Sequence, residues 1–186
     1  MAPSASMRLF LVRHLPPLVA PGVCYGRTDL ATDPAVQARA LPALRAPLPA
    51  NAPLYSSPLQ RCAVLAQALG GAVTFDARLA ELDFGAWEMQ PWDAIARADI
   101  DAWAADVAGY RPGGGDSVAA MAVRIAAFYA DLLQAGVPEA VVVCHAGAIR
   151  LLTARAAGMD APAMAQAAAA HPHRIGYGEI VTLDCV

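Results

Sequence analysis

The sequence predicts an α/β sandwich, in which helices cover a sheet of buried strands. Two short apolar runs, residues 9–12 and 140–144, are uninterrupted, as expected of strands buried on both faces. Strand-like and helix-like segments also alternate along the chain, which favours an α/β architecture over an all-α or all-β one. With 186 residues the chain is expected to form a single domain, residues 1–186, with a substantial core.

Composition excludes several classes of protein. Apolar residues make up 58% of the chain and charged residues 16%, so disorder is not expected. No apolar run approaches the ~20 residues of a membrane span, and residues 1–6 lack the features of a signal peptide, so a cytoplasmic protein is expected. Four cysteines without a pairing pattern predict reduced thiols. A net charge of −3 offers no field for nucleic acid, so any anion site must be local.

Periodicity and turn residues define the predicted elements in order. They are a strand over 9–14, a loop over 15–33, a helix over 35–45, a strand over 52–56, a helix over 58–69, a strand over 72–75, helical residues 91–106, a helix over 118–133, a strand over 140–144, helices over 149–157 and 161–170, and a strand over 178–184. Pro42 should weaken or kink the first helix because proline lacks an N–H group. Trp92 and Trp103 are expected to cover the core.

Histidine and arginine residues stand where strands end and a helix begins. Arg13 and His14 form the C-terminal end of the first strand, and His145 follows the strand over 140–144. Ligand crevices of open α/β sheets lie at the carboxyl ends of the strands. Ser57 is the predicted N-cap of the second helix, which places Arg61 in its first turn, beside free N–H groups that favour anions. This pattern predicts an anion site.

Two further stretches carry polar residues that suit such a site. Residues 78–88 mix carboxylates with aromatics, and either Glu81 or Asp83 could act as a general acid. The alternative is a loop with solvated acids. Residues 22–30, rich in glycine, could present donors to an anionic substrate, and the alternative is an ordinary surface turn.

These residue types suit phosphoryl chemistry. A tetrahedral dianion needs several cations, and arginine binds phosphate oxygens bidentately. A neutral histidine can attack phosphorus without a metal. Attack yields a phosphohistidine, and a carboxylic acid must then protonate the leaving oxygen.

Five segments resemble motifs of one known family and occur in its order. They are 11–14 (LVRH), 56–61 (SSPLQR), 79–88 (LAELDFGAWE), 114–117 (GGDS) and 143–150 (VCHAGAIR). Together they resemble the histidine phosphatase superfamily, which includes cofactor-dependent phosphoglycerate mutases and alpha-ribazole phosphatases. The resemblance implies a three-layer α/β/α sandwich with a mostly parallel central sheet, phosphoglycerate mutase-like, and an enzyme that needs neither a cofactor nor a metal.

The resemblance also implies a role for each matching residue. His14 would be the phosphorylated nucleophile, and Glu81 the acid that protonates the leaving group and then activates water. The phosphate pocket would be formed by Arg13, Arg61 and His145. Residues 22–30 resemble a loop of the alpha-ribazole phosphatases. The part of the substrate beyond its phosphate would therefore be contacted by Tyr25, Arg27 and Thr28.

Three positions depart from the family pattern. Leu15 follows the nucleophilic histidine where glycine is usual, and its side chain would alter the backbone or narrow the pocket. Ala146 replaces a glycine after the second histidine but keeps the N–H group expected to bind substrate. Met89 stands where a glycine is expected, which bears on loop shape.

The resulting prediction is a metal-independent phosphomonoesterase acting on a small-molecule phosphomonoester, with alpha-ribazole 5′-phosphate of cobalamin assembly as the best single substrate. A phosphoglycerate mutase-type phosphotransferase is one alternative. A catalytically impaired binding or regulatory protein, motivated by Leu15, is another. The third is a metal hydrolase that uses His14, His145, His171 and His173. The oligomeric state is not fixed by the sequence, and a homodimer is one expectation.

Overall fold

A computed structural model describes residues 6–185 and contains a five-stranded sheet. The strands are β1 (Met7–Arg13), β2 (Leu54–Ser56), β3 (Val73–Phe75), β4 (Glu139–Cys144) and β5 (Ile180–Cys185). They lie in the order β3-β2-β4-β1-β5. Neighbouring strands are parallel except β5, which pairs antiparallel with β1. The predicted mostly parallel sheet is confirmed. The prediction that no signal peptide is present concerns residues that, except for Ser6, lie outside the described part.

Helices cover both faces of this sheet. They are α1 (Pro34–Arg45), α2 (Gln60–Leu69), α3 (Arg97–Ala105), α4 (Val118–Gln134), α5 (Ala146–Ala156) and α6 (Ala161–Ala170). Because side chains alternate along a strand, Leu9 and Leu11 of β1 join the core beneath α4, α5 and α6. Val12 packs on the opposite face with residues of α1 and α2. The three-layer α/β/α sandwich is confirmed.

Two helix starts differ from the prediction in ways that affect the site. α2 begins at Gln60, with Leu59 as its N-cap, so the prediction of Ser57 as the cap is wrong. The carboxylate of Asp29 instead accepts a hydrogen bond from the Gln60 N–H at 2.7 Å. Arg61 nevertheless lies in the first turn, as predicted. α5 begins at Ala146, directly after His145 and three residues before its predicted start.

Residues 91–106 do not form one helix. A short 3₁₀ turn over Trp92–Ala94 precedes α3. Pro42 is accommodated within α1, which continues to Arg45. Among residues 6–185, no helix has the length and apolar character needed to cross a bilayer.

Candidate active site

Three polar residues follow the carboxyl ends of neighbouring parallel strands. His14 comes after β1, His145 after β4 and Ser57 after β2. The His14 N–H donates to the Cys144 carbonyl at 3.1 Å, and the Ser57 N–H donates to the Val143 carbonyl at 3.0 Å. The strand pairing thus continues one residue past the sheet and brings these residues together, at the edge where α/β sheets bind ligands.

The two histidine rings lie edge to face, with centroids 5.1 Å apart. The Nδ1 of His14 lies 2.7 Å from the Leu15 carbonyl oxygen. A carbonyl can only accept, so Nδ1 carries the proton and the neutral ring has its lone pair on Nε2. The Nε2 of His145 makes a 2.8 Å hydrogen bond with the Ser57 hydroxyl.

Both rings are held in the neutral form. Burial lowers the pKa of His14 from 6.5 to about 3, and the charges of Arg61 and Arg13 act in the same direction, against the hydrogen bond to Leu15. Burial also lowers the pKa of His145 well below its usual value, again with Arg61 contributing. At neutral pH an uncharged His14 is therefore available as a nucleophile.

Two arginines lie beside His14 with donors that have no acceptor. Arg61 is fully buried and donates to the Thr28 carbonyl at 2.7 Å and to the Gly26 carbonyl. Arg13 donates to the Ile175 carbonyl at 2.5 Å. Among residues 6–185, neither Nε atom has a hydrogen-bond partner, although both are buried. Unpaired buried donors are costly, so both guanidinium groups have unmet hydrogen-bonding capacity.

Two tyrosines cover these arginines. The ring of Tyr177 lies 3.9 Å from the Arg13 guanidinium carbon, and that of Tyr25 lies 5.6 Å from the Arg61 carbon. Their hydroxyl oxygens are 2.6 Å apart. Burial raises the pKa of Tyr25, so its hydroxyl stays protonated. Tyr177 was not predicted, because it lies in the loop before β5, where no periodicity marks it.

Glu81 is fixed by the first turn of α5. Its Oε2 accepts from the Gly147 N–H at 3.0 Å, and its Oε1 accepts from the Leu82 N–H at 3.1 Å. A Cβ atom at Gly147 would lie 2.3 Å from Oε1. Only glycine at this position therefore lets the carboxylate reach the N-terminus of α5.

A cavity of about 370 Å³ collects most of the predicted site residues. Its lining includes Arg13, His14, Tyr25, Arg61, Glu81 and Ala146. His145 is fully buried beside His14 and does not line the cavity. Asp83, the alternative acid, also lies outside the lining and accepts from the Gly85 N–H.

Arg27 and Thr28 are not brought to the cavity. Their N–H groups and that of Gly26 instead donate to the Glu88 carboxylate, at 2.9 to 3.2 Å, and the Thr28 hydroxyl donates to it at 2.5 Å. The Phe84 N–H is a further donor to Glu88, at 3.0 Å. These hydrogen bonds lower the pKa of Glu88 in spite of its burial. Glu88 therefore holds the segment whose carbonyls bind Arg61.

Several lining residues were not predicted as part of the site. Arg150 lies one helical turn after Ala146 in α5, inside a motif that the sequence already singled out. His173 was named only for the alternative metal site, within a segment that looks like a surface loop, yet it lines the cavity, and burial lowers its pKa. Trp92 and Trp103 were expected to cover the core, but both line the cavity, so that prediction was incomplete.

The described residues 6–185 hold no group of three or more His, Cys, Asp or Glu side chains that could bind a metal ion. The four cysteines are free and buried. A neutral imidazole, two arginines with unpaired donors and one carboxylate thus share one cavity. This set can bind a tetrahedral anion, attack it and transfer a proton.

Comparison with solved structures shows the same fold in other proteins. A mycobacterial glucosyl-3-phosphoglycerate phosphatase aligns with a TM-score of 0.78 at 24% identity, over 95% of this chain and 89% of that one. The protein TTHB049 from Thermus thermophilus aligns with a TM-score of 0.72 at 29% identity, over 95% and 92% of the two chains. Mycobacterial hydrolase 2 aligns with a TM-score of 0.78 at 25% identity, over 96% and 82%. The fold is therefore phosphoglycerate mutase-like.

A search of curated proteins returned no match. The family model described as histidine phosphatase superfamily (branch 1) matches residues 9–177, which is most of the chain. That span contains the site residues Arg13, His14, Arg61, Glu81 and His145. The chain belongs to the histidine phosphatase superfamily, branch 1.

Proposed function

We propose that this protein is a metal-independent phosphomonoesterase that works through a phosphohistidine at His14. The observation that carries the proposal is the neutral His14 ring, with its lone pair on Nε2, next to two arginines whose buried Nε donors lack acceptors among residues 6–185. Arginine guanidinium groups bind phosphate oxygens, and both arginines line the cavity with His14. Membership of the superfamily supports the same reaction class.

In the proposed reaction, Nε2 of His14 attacks phosphorus while the ester P–O bond breaks. Glu81 gives its proton to the departing oxygen, which leaves as the alcohol. Water then loses a proton to the Glu81 carboxylate and attacks the phosphorus, the P–N bond breaks, and inorganic phosphate is released with His14 restored. In this scheme Arg13 and Arg61 stabilise the charge on the transferring phosphoryl group.

The role of His145 in the phosphate pocket stays a proposal from the resemblance, since it does not line the cavity and is proposed to act through its contact with His14. Ser57, which bonds its Nε2, would fix the orientation of the ring. The Ala146 N–H, at the start of α5, is proposed to donate to the bound phosphate. Tyr25 is proposed to contact the substrate from the cavity wall, whereas the contacts assigned to Arg27 and Thr28 rest on the resemblance alone.

The finer assignment to alpha-ribazole 5′-phosphate also rests on the resemblance of residues 22–30, of which Tyr25 lines the cavity. The alternative of an impaired binding protein was motivated by Leu15. That side chain is 5% exposed and packs in the apolar cluster beneath α1 and α2, outside the cavity lining. Leu15 therefore gives no support to an impaired site.

Hydrolysis of p-nitrophenyl phosphate tests the proposal. We expect turnover to persist in excess EDTA and to disappear in His14→Ala, because no other group would accept the phosphoryl. His171→Ala is the matched control, since His171 is exposed and outside the cavity, and it should retain activity. Loss of turnover with chelator, or retention of turnover in His14→Ala, would overturn the proposal.

A further inference from the structure

The lining of the cavity combines two chemically different sets of residues. One set is the phosphate-binding and proton-transfer groups described above. The rest is mainly apolar and aromatic, with Phe84, Trp92 and Trp103 as its rings, and its polar members are Arg150 and His173. We call this second part of the lining the aromatic chamber. Both sets line the same cavity, so a molecule held by its phosphate would place its alcohol portion against the chamber.

Three rings of the aromatic chamber pack against one another. Trp92 and Trp103 lie nearly parallel, with an interplanar angle of 8° and centroids 5.8 Å apart. Phe84 meets each of them edge to face, at 5.8 and 6.2 Å. Behind them, Trp87 is buried and contacts both tryptophans. A wall braced in this way presents flat apolar surface and loses little conformational entropy when a ligand binds.

Apart from Arg150 and His173, the chamber offers few hydrogen-bonding partners to a polar alcohol. Sugar or polyol hydroxyls placed there would lose water and find few acceptors or donors, which is unfavourable. An apolar ring would gain by leaving water.

We infer that the substrate is a phosphomonoester whose alcohol carries a flat apolar group, such as an aromatic ring system, which packs in the aromatic chamber. This inference rests on the proposed phosphomonoesterase function. It adds a substrate class to the same site, with Trp92 as the wall residue that recognises the apolar group.

Two primary alkyl phosphates separate this recognition from the chemistry. 2-Naphthylmethyl phosphate and glycerol 3-phosphate both release primary alcohols, so they differ mainly in what would fill the chamber. We expect kcat/KM to be at least about tenfold higher for the naphthyl ester, since apolar pocket contacts discriminate by that order. This comparison uses only the wild-type protein and does not depend on any variant that folds poorly.

Substitution at the wall identifies the residue responsible. Trp92→Ala should lower kcat/KM for the naphthyl ester about tenfold and leave glycerol 3-phosphate turnover and orthovanadate inhibition unchanged. Phe75→Ala is the control, because Phe75 is an exposed aromatic on the edge strand β3. It should change neither substrate.

Different outcomes would overturn the aromatic substrate class and the proposed phosphomonoesterase function. Equal kcat/KM for the two esters, or a preference for glycerol 3-phosphate, would overturn the aromatic substrate class while leaving the phosphatase intact. A parallel loss of both activities in Trp92→Ala would also overturn it. No hydrolysis of either ester or of p-nitrophenyl phosphate would overturn the proposed function itself.

Discussion

Leu15 contributes to the site through its backbone rather than its side chain. Its carbonyl accepts from Nδ1 of His14, and its side chain packs into the apolar cluster on the α1 and α2 side of the sheet. A glycine at this position would have the same carbonyl. The departure from the family pattern therefore leaves the tautomer of His14 unaffected.

Met89 is the one described non-glycine residue with a positive φ, 65°, which explains why glycine is expected there. The left-handed conformation costs a residue with a Cβ about 1–2 kcal/mol, and glycine adds roughly 0.5–1 kcal/mol of unfolded-state entropy. Met89 is 46% exposed, so little packing is lost with its side chain. We expect Met89→Gly to raise the free energy of unfolding by about 0.5–1 kcal/mol, measured by urea denaturation.

Ala86→Gly is the matched control for this prediction. Ala86 is exposed, lies three residues earlier, within a short 3₁₀ turn over Gly85–Trp87, and has an ordinary φ. Ala86→Gly should lower the free energy of unfolding by about 0.5–1 kcal/mol, because glycine raises the entropy of the unfolded chain and relieves no strain at this position. If Met89→Gly were destabilised like the control, the explanation from backbone strain would be wrong.

At the level of elements, α2 and the loop before it act as one unit around Arg61. Asp29 caps the first turn of α2, and the Glu88 carboxylate accepts hydrogen bonds from the N–H groups of residues 26–28. The carbonyls of the same loop then bind the Arg61 guanidinium. Glu88 is thus a positioning residue that acts on the site through the loop.

Glu88→Gln should lower kcat/KM for p-nitrophenyl phosphate by roughly ten- to a hundredfold, because a small displacement of a binding group is costly to catalysis. A double-mutant cycle tests the route through Arg61. In an Arg61→Lys background, which lacks the guanidinium fork, Glu88→Gln should cause a much smaller further loss. Additive losses would show that Glu88 does not act through Arg61.

Asp83→Asn is the control for Glu88→Gln. Asp83 lies on the same segment but bonds Gly85 and does not line the cavity. Its substitution should leave kcat/KM nearly unchanged. A loss as large as that of Glu88→Gln would indicate a general effect of removing acidic groups from this segment.

At the scale of the whole molecule, the sheet explains which parts of the site could be predicted. Buried strands that end in a charged residue are visible in sequence, so Arg13, His14 and His145 could be placed at strand ends. The order β2-β4-β1 then makes those ends neighbours. The alternation of Leu11 and Val12 between the two faces also follows from strand periodicity alone.

Other parts of the site depend on contacts between distant segments. Ser57 reads locally as a helix cap, but its hydroxyl bonds His145 instead, and Asp29 caps the helix. The hydroxyl of Tyr177 makes a hydrogen bond with that of Tyr25, although nothing local to either residue signals the pair. Tryptophans at helical spacing look like core residues whether they face the core or a ligand cavity.

The central claim is that His14 becomes phosphorylated during turnover. Glu81→Gln should favour accumulation of this species, because p-nitrophenol leaves without acid assistance while attack by water loses its base. Rapid quenching into alkali during turnover of p-nitrophenyl phosphate, followed by peptide mass spectrometry, should find one phosphoryl group on His14. Release of p-nitrophenol with no phosphoryl group on His14, or with the group on another residue, would contradict the account.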